Sequence, residues 1–337
     1  MMSWSPPPRS PSGAVPDELG AAADSVPGSG LLALSTQQLE YLMAVASAPR
    51  WADAAARLGV TPSALSQGLA QLERRLGVPL FAREGRRRVL RPDAAPVLAS
   101  SRRIVAETRD LARWAASMRL GEAGSVRVGM IDLAAVSLFG ATLQRFRRSR
   151  PDVGLHLAVA PSAALLDQLA GGEIDLAVVV APERPTGELS FEPLTRDELA
   201  VYAPDGGRAG DPASWGPWVT FPEGSHTRRL VARALGERGA PFAVVATSNQ
   251  PEVLCEMVRL GMGWTVLPVA QAEAGANPLL PARPEPLVSR ELVVATRHGH
   301  PPSATARLLV DELKADAGPG APSGATGVGA DDGRPHH

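Results

Sequence analysis

Trp51-Ala-Asp-Ala-Ala-Ala-Arg-Leu-Gly-Val-Thr-Pro-Ser-Ala-Leu-Ser-Gln67, carried on to Leu76, holds two short helical patterns that meet at a glycine. The first is alanine-rich, from Ala52 to Leu58. Gly59 suits the left-handed backbone that stops a helix. Val60 fills the corner, Thr61 is placed to cap the next helix, and Pro62 fits its first turn. Leu65, Leu69, Leu72 and Leu76 recur at i, i+4, i+7 and i+11, which predicts one buried face. Ser63, Ser66, Gln67, Ala70 and Arg74 fall on the other face. Those side chains are small, hydrogen-bonding or cationic, as a helix laid into a DNA major groove requires. The stretch reads as a helix-turn-helix, with Thr61, Ser63, Ser66, Gln67 and Arg74 as candidate DNA contacts.

Its flanks extend the pattern. Upstream, Ser35 starts a helix lined by Leu39, Leu42, Met43 and Ala46, and Ala48-Pro49-Arg50 breaks it. Downstream, Gly77 ends the second helix and Val78-Pro79-Leu80-Phe81 forms an apolar plug. Ala82 to Arg91 then reads as a short hairpin with a basic tip near Gly85, in effect a wing. Arg83, Arg86, Arg87 and Arg88 on it are candidates for phosphate contact, the alternative being a merely solvated charge run. Formal net charge over the whole chain is −1, which names no partner. Between Ser35 and Ala95, however, nine Arg face five acidic residues, and Pro96 to Arg119 adds five Arg against two. The basic charge sits where phosphate binding needs it.

At this density of features the segment from Leu39 to Leu90 resembles the DNA-binding domain of the LysR-type transcriptional regulators. The likeness is carried by Leu39, Trp51-Ala-Asp-Ala-Ala55, Leu58, Ser63-Ala-Leu-Ser66, Leu72-Glu73, Leu76-Gly-Val-Pro-Leu-Phe81 and Arg83. Three positions depart from the family's pattern. Pro62 stands where it usually has Gln, Gly68 where it often has a polar side chain, and Arg91-Pro92-Asp93-Ala94 replaces its Thr and Gly. Pro62 cannot hydrogen-bond a base edge through its side chain, so readout leans on Ser63, Ser66, Gln67 and Arg74. Gly68 inside a helix costs roughly 1 kcal/mol relative to Ala. From Pro96 to about Met118 the chain is helical, with Val97, Ser101, Ile104, Thr108, Leu111, Ala115 and Met118 spaced by four and three. Taken alone this is an amphipathic helix on some core. The resemblance makes it a linker helix that pairs two subunits, giving a homodimer or homotetramer on a dyad-symmetric operator in double-stranded DNA.

Gly121 to Gly124 is a hinge by composition, and beyond it strands alternate with helices. Strands are expected at 126–130, 155–159 and 174–180, with helices at 138–148 and 162–170 between them. The order repeats as a strand at 219–221, a helix at 227–238, a strand at 244–247, a helix at 251–260 and a strand at 264–267. This β-α-β-α-β order implies parallel sheets in two lobes. Leu199 to Ala203 and Leu292 to Ala295 are the candidate crossings, and a helix at 304–314 closes the domain. Phe146, Pro151-Asp-Val153, Leu166 to Leu169, Gly172-Glu-Ile-Asp-Leu-Ala177 and Val258-Arg-Leu-Gly-Met-Gly263 resemble the effector-binding domain of the same family. The fold class is therefore α/β, with an N-terminal winged helix-turn-helix, a long linker helix and a two-lobed, periplasmic-binding-protein-like effector domain. The expected divisions are a leader (1–34), the DNA-binding domain (35–95), the linker (96–120), the effector domain (121–315) and a tail (316–337). Lobe I takes about 125–200 and 291–315, and lobe II about 201–290. Leader and tail, rich in Gly, Pro and Ala, read as disordered.

In such a domain a ligand sits between the lobes, at strand carboxyl ends and helix amino ends. That places Ile131, Asp132 and Ala134 from one loop and Pro182 from another as candidate effector contacts. Ser225, His226, Thr227, Asn249, Gln250 and Trp264 come from the second lobe. Helix starts at Ser225–Thr227 and Asn249–Gln250 favour an anion, so a carboxylate-bearing small molecule is the candidate effector. Asp132 can pair with its amine or hydroxyl, or simply cap the following helix; Ser225 can be an ordinary cap; Trp264 stacks on a ligand or packs in the core. His226 is lone and reads as a hydrogen-bond donor, not a metal ligand. Cys255, the single cysteine, excludes a disulfide framework and reads as a small buried residue. No residue constellation suggests catalysis, a cofactor or a metal: Gly261-Met-Gly263 follows a helix and is a helix stop, and Ser225-His226 are sequence neighbours. No apolar run or signal segment appears, so a cytoplasmic location is expected by elimination. The expectation is a sequence-specific DNA-binding regulator modulated by a small molecule; a solute-binding protein, an enzyme fused to a DNA-binding domain and a ligand-independent regulator are the rivals.

Overall fold

A computed structural model of the chain describes residues 33–85, 87–120, 124–185 and 187–317, with only the backbone of 117–120 and of Asp205. Arg86, most of the expected hinge, and nearly all of the expected leader and tail lie outside these residues. The chain divides between Ala94 and Ala95 into two compact units.

In the first unit, α1 (Thr36–Ser47), α2 (Trp51–Leu58) and α3 (Pro62–Leu76) precede a hairpin of β1 (Phe81–Glu84) and β2 (Arg87–Leu90). Gly59 stops α2 in the left-handed region (φ 67°), donating its N–H to the Ala55 and Ala56 carbonyls. Thr61 Oγ1 accepts the Ala64 N–H at 3.1 Å and so starts α3. Leu65, Leu69 and Leu72 are fully buried beside Leu39 and Leu42 of α1, whereas Leu76, in the last turn, is half-buried. Glu73 ties α3 to the hairpin, its Oε1 accepting the N–H groups of Leu80 (2.7 Å) and Phe81 (3.2 Å). Trp51 meets Phe81 edge-on at 4.9 Å between centroids, and the Arg88 guanidinium lies 5.3 Å over the Trp51 ring.

Gly68 has a reason the sequence did not disclose. It lies toward α1 and not on the outer face, because a Cβ there would stand 2.8 Å from two ring carbons of buried Tyr41. The missing side chain admits a tyrosine ring, and its propensity cost is offset by that packing.

The second unit opens with α4 (Ala95–Leu120) and continues as β3 (Ser125–Met130), α5 (Gly140–Ser149), β4 (Gly154–Val159), α6 (Ser162–Ala170) and β5 (Leu176–Val180). A π-helical turn at Ala134–Leu138 leads into α5. Then come β6 (Leu189–Tyr202), β7 (Trp218–Thr220), α7 (His226–Gly236), β8 (Val244–Thr247), α8 (Pro251–Arg259), β9 (Thr265–Pro268), the short α9 (Val269–Ala272), β10 (Val288–Arg297) and α10 (Ala304–Asp316). Six strands form one sheet in the order β4-β3-β5-β10-β6-β9, and β7 and β8 form another. The β3–β4, β3–β5 and β7–β8 pairs are parallel, as alternating strands and helices imply. β10 is antiparallel to both β5 and β6, and β9 to β6, so the larger sheet is mixed. β6 and β10 are the two crossings, each longer than the apolar runs that announced it. They pair from Val288–Leu199 to Arg297–Leu189, with a bulge between Leu292 and Val293. Lobe I buries β3, β5 and β10 against α5, α6 and α10, while lobe II packs α7 and α8 on two separate apolar clusters.

Helix α4 divides its expected stripe. Ser101 is buried, its hydroxyl returned to the Val97 carbonyl at 2.8 Å, and Val105 and Ala106 are buried with it. Ile104 and Leu111 of the same stripe are exposed (44% and 64%), so they do not belong to this unit's core. Arg109 and Arg113 donate to the Gly171 and Gly172 carbonyls at 2.7 and 2.8 Å, just past the end of α6. Gly172 is left-handed (φ 70°), and a Cβ on it would lie 2.8 Å from Ala106 Cα.

Gly68→Ala is expected to lower stability. The helix-propensity gain of about 1 kcal/mol is outweighed by an overpacking cost of ~1–3 kcal/mol against Tyr41. Thermal unfolding of the variant checks this, and Tyr41→Leu in the same chain should restore the gain.

Candidate nucleic-acid interface and ligand cleft

On the outer side of α3, Ser63, Gln67 and Arg74 are exposed and Ser66 is half-buried. Thr61 is exposed, with its hydroxyl oxygen engaged as the cap. The hairpin pairs Arg83 with Arg88 and Glu84 with Arg87 across its strands, and Gly85 turns it with φ 62°. Arg83, Arg87 and Arg88 are exposed, Arg88 also stacking on Trp51. Arg57 and Arg75 are used otherwise: Arg57 donates to Ala44 O and Ser47 Oγ, Arg75 to Ala33 O and Gln38 Oε1. The outer face therefore combines hydrogen-bonding side chains on a helix with a basic hairpin beside it, the layout that separates base reading from phosphate holding.

In the second unit a cavity of about 530 Å3 lies between the lobes. Ile131, Asp132, Ser225, His226, Thr227, Asn249 and Gln250 all line it. Three of the expected contacts do not. Ala134 is fully buried in the lobe I core, and half-buried Pro182 sits outside the cleft wall. Trp264 packs among Trp215 and Trp218, with ring centroids at 6.1 and 6.3 Å, so of its two readings the core one describes its position. The neighbouring β-bridge to Trp218 holds that ring inside lobe II.

The amino ends of α6, α7 and α8 all open on this cavity, through Ser162, His226 and Pro251 respectively. Unpaired N–H groups and the helix dipoles make such a convergence favourable to negative charge. Ser225 Oγ caps α7 by accepting the Arg228 N–H at 3.4 Å. Ser162 Oγ accepts the Val180 N–H at 3.2 Å, which leaves its proton free to donate. His226 Nδ1 is buried without a protein partner. Burial lowers the pKa of that imidazole, and Arg229 adds to the effect, against the pull of the Val180 backbone and Glu183. Asp132 accepts a hydrogen bond from Gln271 Nε2 at 2.7 Å, across from α9 of lobe II. Arg233 and Glu183 make a second inter-lobe link at 2.8 Å.

Sequence reading missed Arg290. It stands on β10, 7% exposed, and lines the cleft floor. Its Nε donates to Asp197 Oδ2 on β6 at 2.7 Å and its Nη1 to Thr227 Oγ1 at 2.6 Å. Burial pushes the Asp197 carboxyl up from the ordinary carboxylate value, against the opposing pull of Arg290. The sequence carries no distinguishing signal for it: Asp197 lies between Arg196 and Glu198, and Arg290 beside Glu291, and only burial separates the pair from those neighbours. Gln271 carried no mark either, since its short helix was not anticipated.

Elsewhere, among the described residues, Glu107, Asp110 and His300 bring donor atoms within 4.8 Å of one another. Asp110 accepts from both Arg113 and Arg297, and His300 pairs with Glu107, so ion pairing accounts for the group. An open groove of about 680 Å3 on lobe II, where Arg283 lies 5.7 Å over Trp215, shares no residue with the cleft. Cys255 is buried, and burial raises its pKa, so its thiol is not activated. No helix among the described residues is long and apolar enough to cross a membrane.

Residues 36–95 match the family described as "Bacterial regulatory helix-turn-helix protein, lysR family", and residues 119–318 match "LysR substrate binding domain". The HTH-type transcriptional regulator YfeR of Shigella flexneri is 26% identical over 290 residues, covering 83% of this chain and 93% of that protein. The HTH-type transcriptional regulator EstR of Acinetobacter baylyi is 28% identical over 292 residues, covering 83% and 96%. Among solved structures, a full-length OxyR variant from Pseudomonas aeruginosa superposes with a TM-score of 0.51 at 22% identity over 83% of this chain and 95% of that one, a likeness of fold.

Removing one member of the buried pair should be costly. Arg290→Leu or Asp197→Leu alone is expected to destabilise the second unit by ~3–5 kcal/mol, while the double leucine variant recovers most of the loss. Denaturant unfolding of the three variants forms the cycle that checks it.

Proposed function

The chain belongs to the LysR family of bacterial transcriptional regulators, and on that premise we propose that a small carboxylate, bound between the lobes, modulates its hold on a dyad-symmetric operator. The family is one of DNA-binding regulators, not of enzymes. The observation that carries the effector reading is the convergence of three helix amino ends on one cavity of about 530 Å3, a volume suited to a metabolite. Asp132 supplies an acceptor on the facing wall, suited to an amine or hydroxyl of the same molecule. A ligand that prefers one arrangement of the lobes shifts the protein toward it, and DNA binding shifts by linkage. For the DNA unit, Ser63, Ser66, Gln67 and Arg74 read base edges, while Thr61, Arg83, Arg86, Arg87 and Arg88 hold phosphates. Ile104 and Leu111, exposed on α4, pair with the same residues of a second copy, which sets two reading helices on two half-sites.

Footprinting of the purified protein on the DNA upstream of its own gene tests the reading. A symmetric protected site that weakens steeply with salt is expected; protection with no symmetry and no sequence preference refutes it. In binding assays on that site, Ser66→Ala and Gln67→Ala should each cost ~1–3 kcal/mol on the specific sequence and little on random DNA. Arg87→Ala should instead weaken both alike and reduce the salt slope by about one. Ile104→Glu together with Leu111→Glu should yield a monomer by light scattering and abolish operator binding at concentrations where the parent protects it.

A further inference from the structure

The cleft holds one fixed cation in its floor, and the geometry around it is more specific than a helix end. Arg290 lines the cavity, uses Nε on Asp197 and Nη1 on Thr227, and makes no bond from Nη2 among the described residues. Both members of the ion pair are 5% exposed at the side chain, so neither can swing into solvent. Thr227 belongs to the first turn of α7, and its hydroxyl, by accepting from Arg290, locks the guanidinium plane to that helix. Beside it, His226 Nδ1 is buried with no protein partner. The floor thus presents directed donors with two neighbours already in place, and an anion entering it need not order a flexible side chain.

We propose that Arg290 is the group by which the cleft selects an anion over a neutral molecule of the same shape, and that Asp197 is the positioning residue that holds its guanidinium for the task. This deepens the proposed effector reading and rests on it. The pair is close to neutral as a unit, so its contribution is directional: Asp197 holds Nε and Thr227 holds Nη1, which leaves Nη2 as the group to donate to a ligand. The net field comes from the amino ends of α6, α7 and α8, and Arg290 converts it into a geometric requirement for a carboxylate oxygen. A primary amide of identical shape carries no charge and offers one acceptor oxygen where the carboxylate offers two, its NH2 group facing donors if both positions are filled. Selection is steep where a ligand leaves a buried polar group of the site unpaired.

The test uses the full chain and matched probes: hexanoate, octanoate and phenylacetate, each against its primary amide, with dissociation constants from ligand-observed NMR titration. The variants are Arg290→Gln with Asp197→Asn, which removes both charges together and so leaves no unpaired ion, Arg290→Lys, and Ala164→Trp, which fills the cavity from its wall. The expected result is a carboxylate preference of at least tenfold in the parent, reduced to threefold or less in the double variant and partly kept by Arg290→Lys. Circular dichroism of the double variant should match the parent, and Ala164→Trp should remove binding of acid and amide alike. A preference that persists in the double variant overturns the role of Arg290 and leaves the cleft as the effector site. Equal binding of acid and amide in the parent also overturns it, and so does an absence of binding by any acid. Binding that survives Ala164→Trp puts the ligand elsewhere, and both the cleft reading and this inference fall together.

Discussion

Pairing between β6 and β10 is the constraint on which the ligand-binding unit rests. Each strand begins in one lobe and ends in the other, and their antiparallel ladder runs from Val288–Leu199 to Arg297–Leu189. Backbone hydrogen bonds along it fix where lobe I hands over to lobe II, and hence where the cavity opens. Buried Asp197 and Arg290 are partners in that same ladder, directly opposed in register. A charged pair is an expensive occupant for a sheet interior, where desolvation offsets most of the Coulomb gain. Its position at the cavity floor, with a second bond from Arg290 to α7, ties strand register and cavity chemistry to the same two residues.

The DNA-binding unit depends on a different economy of space. A short α2, a left-handed glycine and a capped α3 leave little apolar area to share, so close approach replaces bulk. Gly68 lets Tyr41 lie against α3, Glu73 takes up two N–H groups of the chain leading into the hairpin, and Trp51 serves both Phe81 and Arg88. None of these contacts faces a groove. They leave the outer face of α3, with Ser63, Gln67 and Arg74 exposed on it, outside the packing of the unit.

Much of this could be read directly from the residues, because local chemistry dictated it. Gly59, Thr61 and Pro62 announce their turn, and the leucines of α3 announce its face. The parallel pairs of β3, β4 and β5 follow from alternation of apolar strands with capped helices. Seven of ten anticipated cleft residues line the cavity because loops after strands and before helices necessarily converge between two lobes. The failures share a cause, which is that they turn on partners distant in sequence. Most of β6 is too polar to read as a strand, since Glu192, Arg196, Asp197 and Glu198 interrupt it, yet β10 pairs along it from Leu189 to Leu199 with one bulge. Trp264 has the chemistry of a stacking residue, and only the third dimension shows Trp215 and Trp218 beside it. Arg290 is one of three charges on β10 until Asp197, 93 residues away, is seen to meet it.

Helix α6 joins two places that the chain keeps far apart. Its first residue, Ser162, stands in the cavity wall, and the carbonyls just past its last turn are gripped by arginines of α4. Nine residues of helix make a strut roughly 14 Å long. A hydrogen-bonded helix is stiff along its axis, so Ser162 in the cavity wall and the carbonyls of Gly171 and Gly172 belong to one rigid element. Gly172 stands so close to the α4 backbone that no side chain fits between them. The wall of the cavity and the anchorage of the long helix are thus opposite ends of the same nine residues.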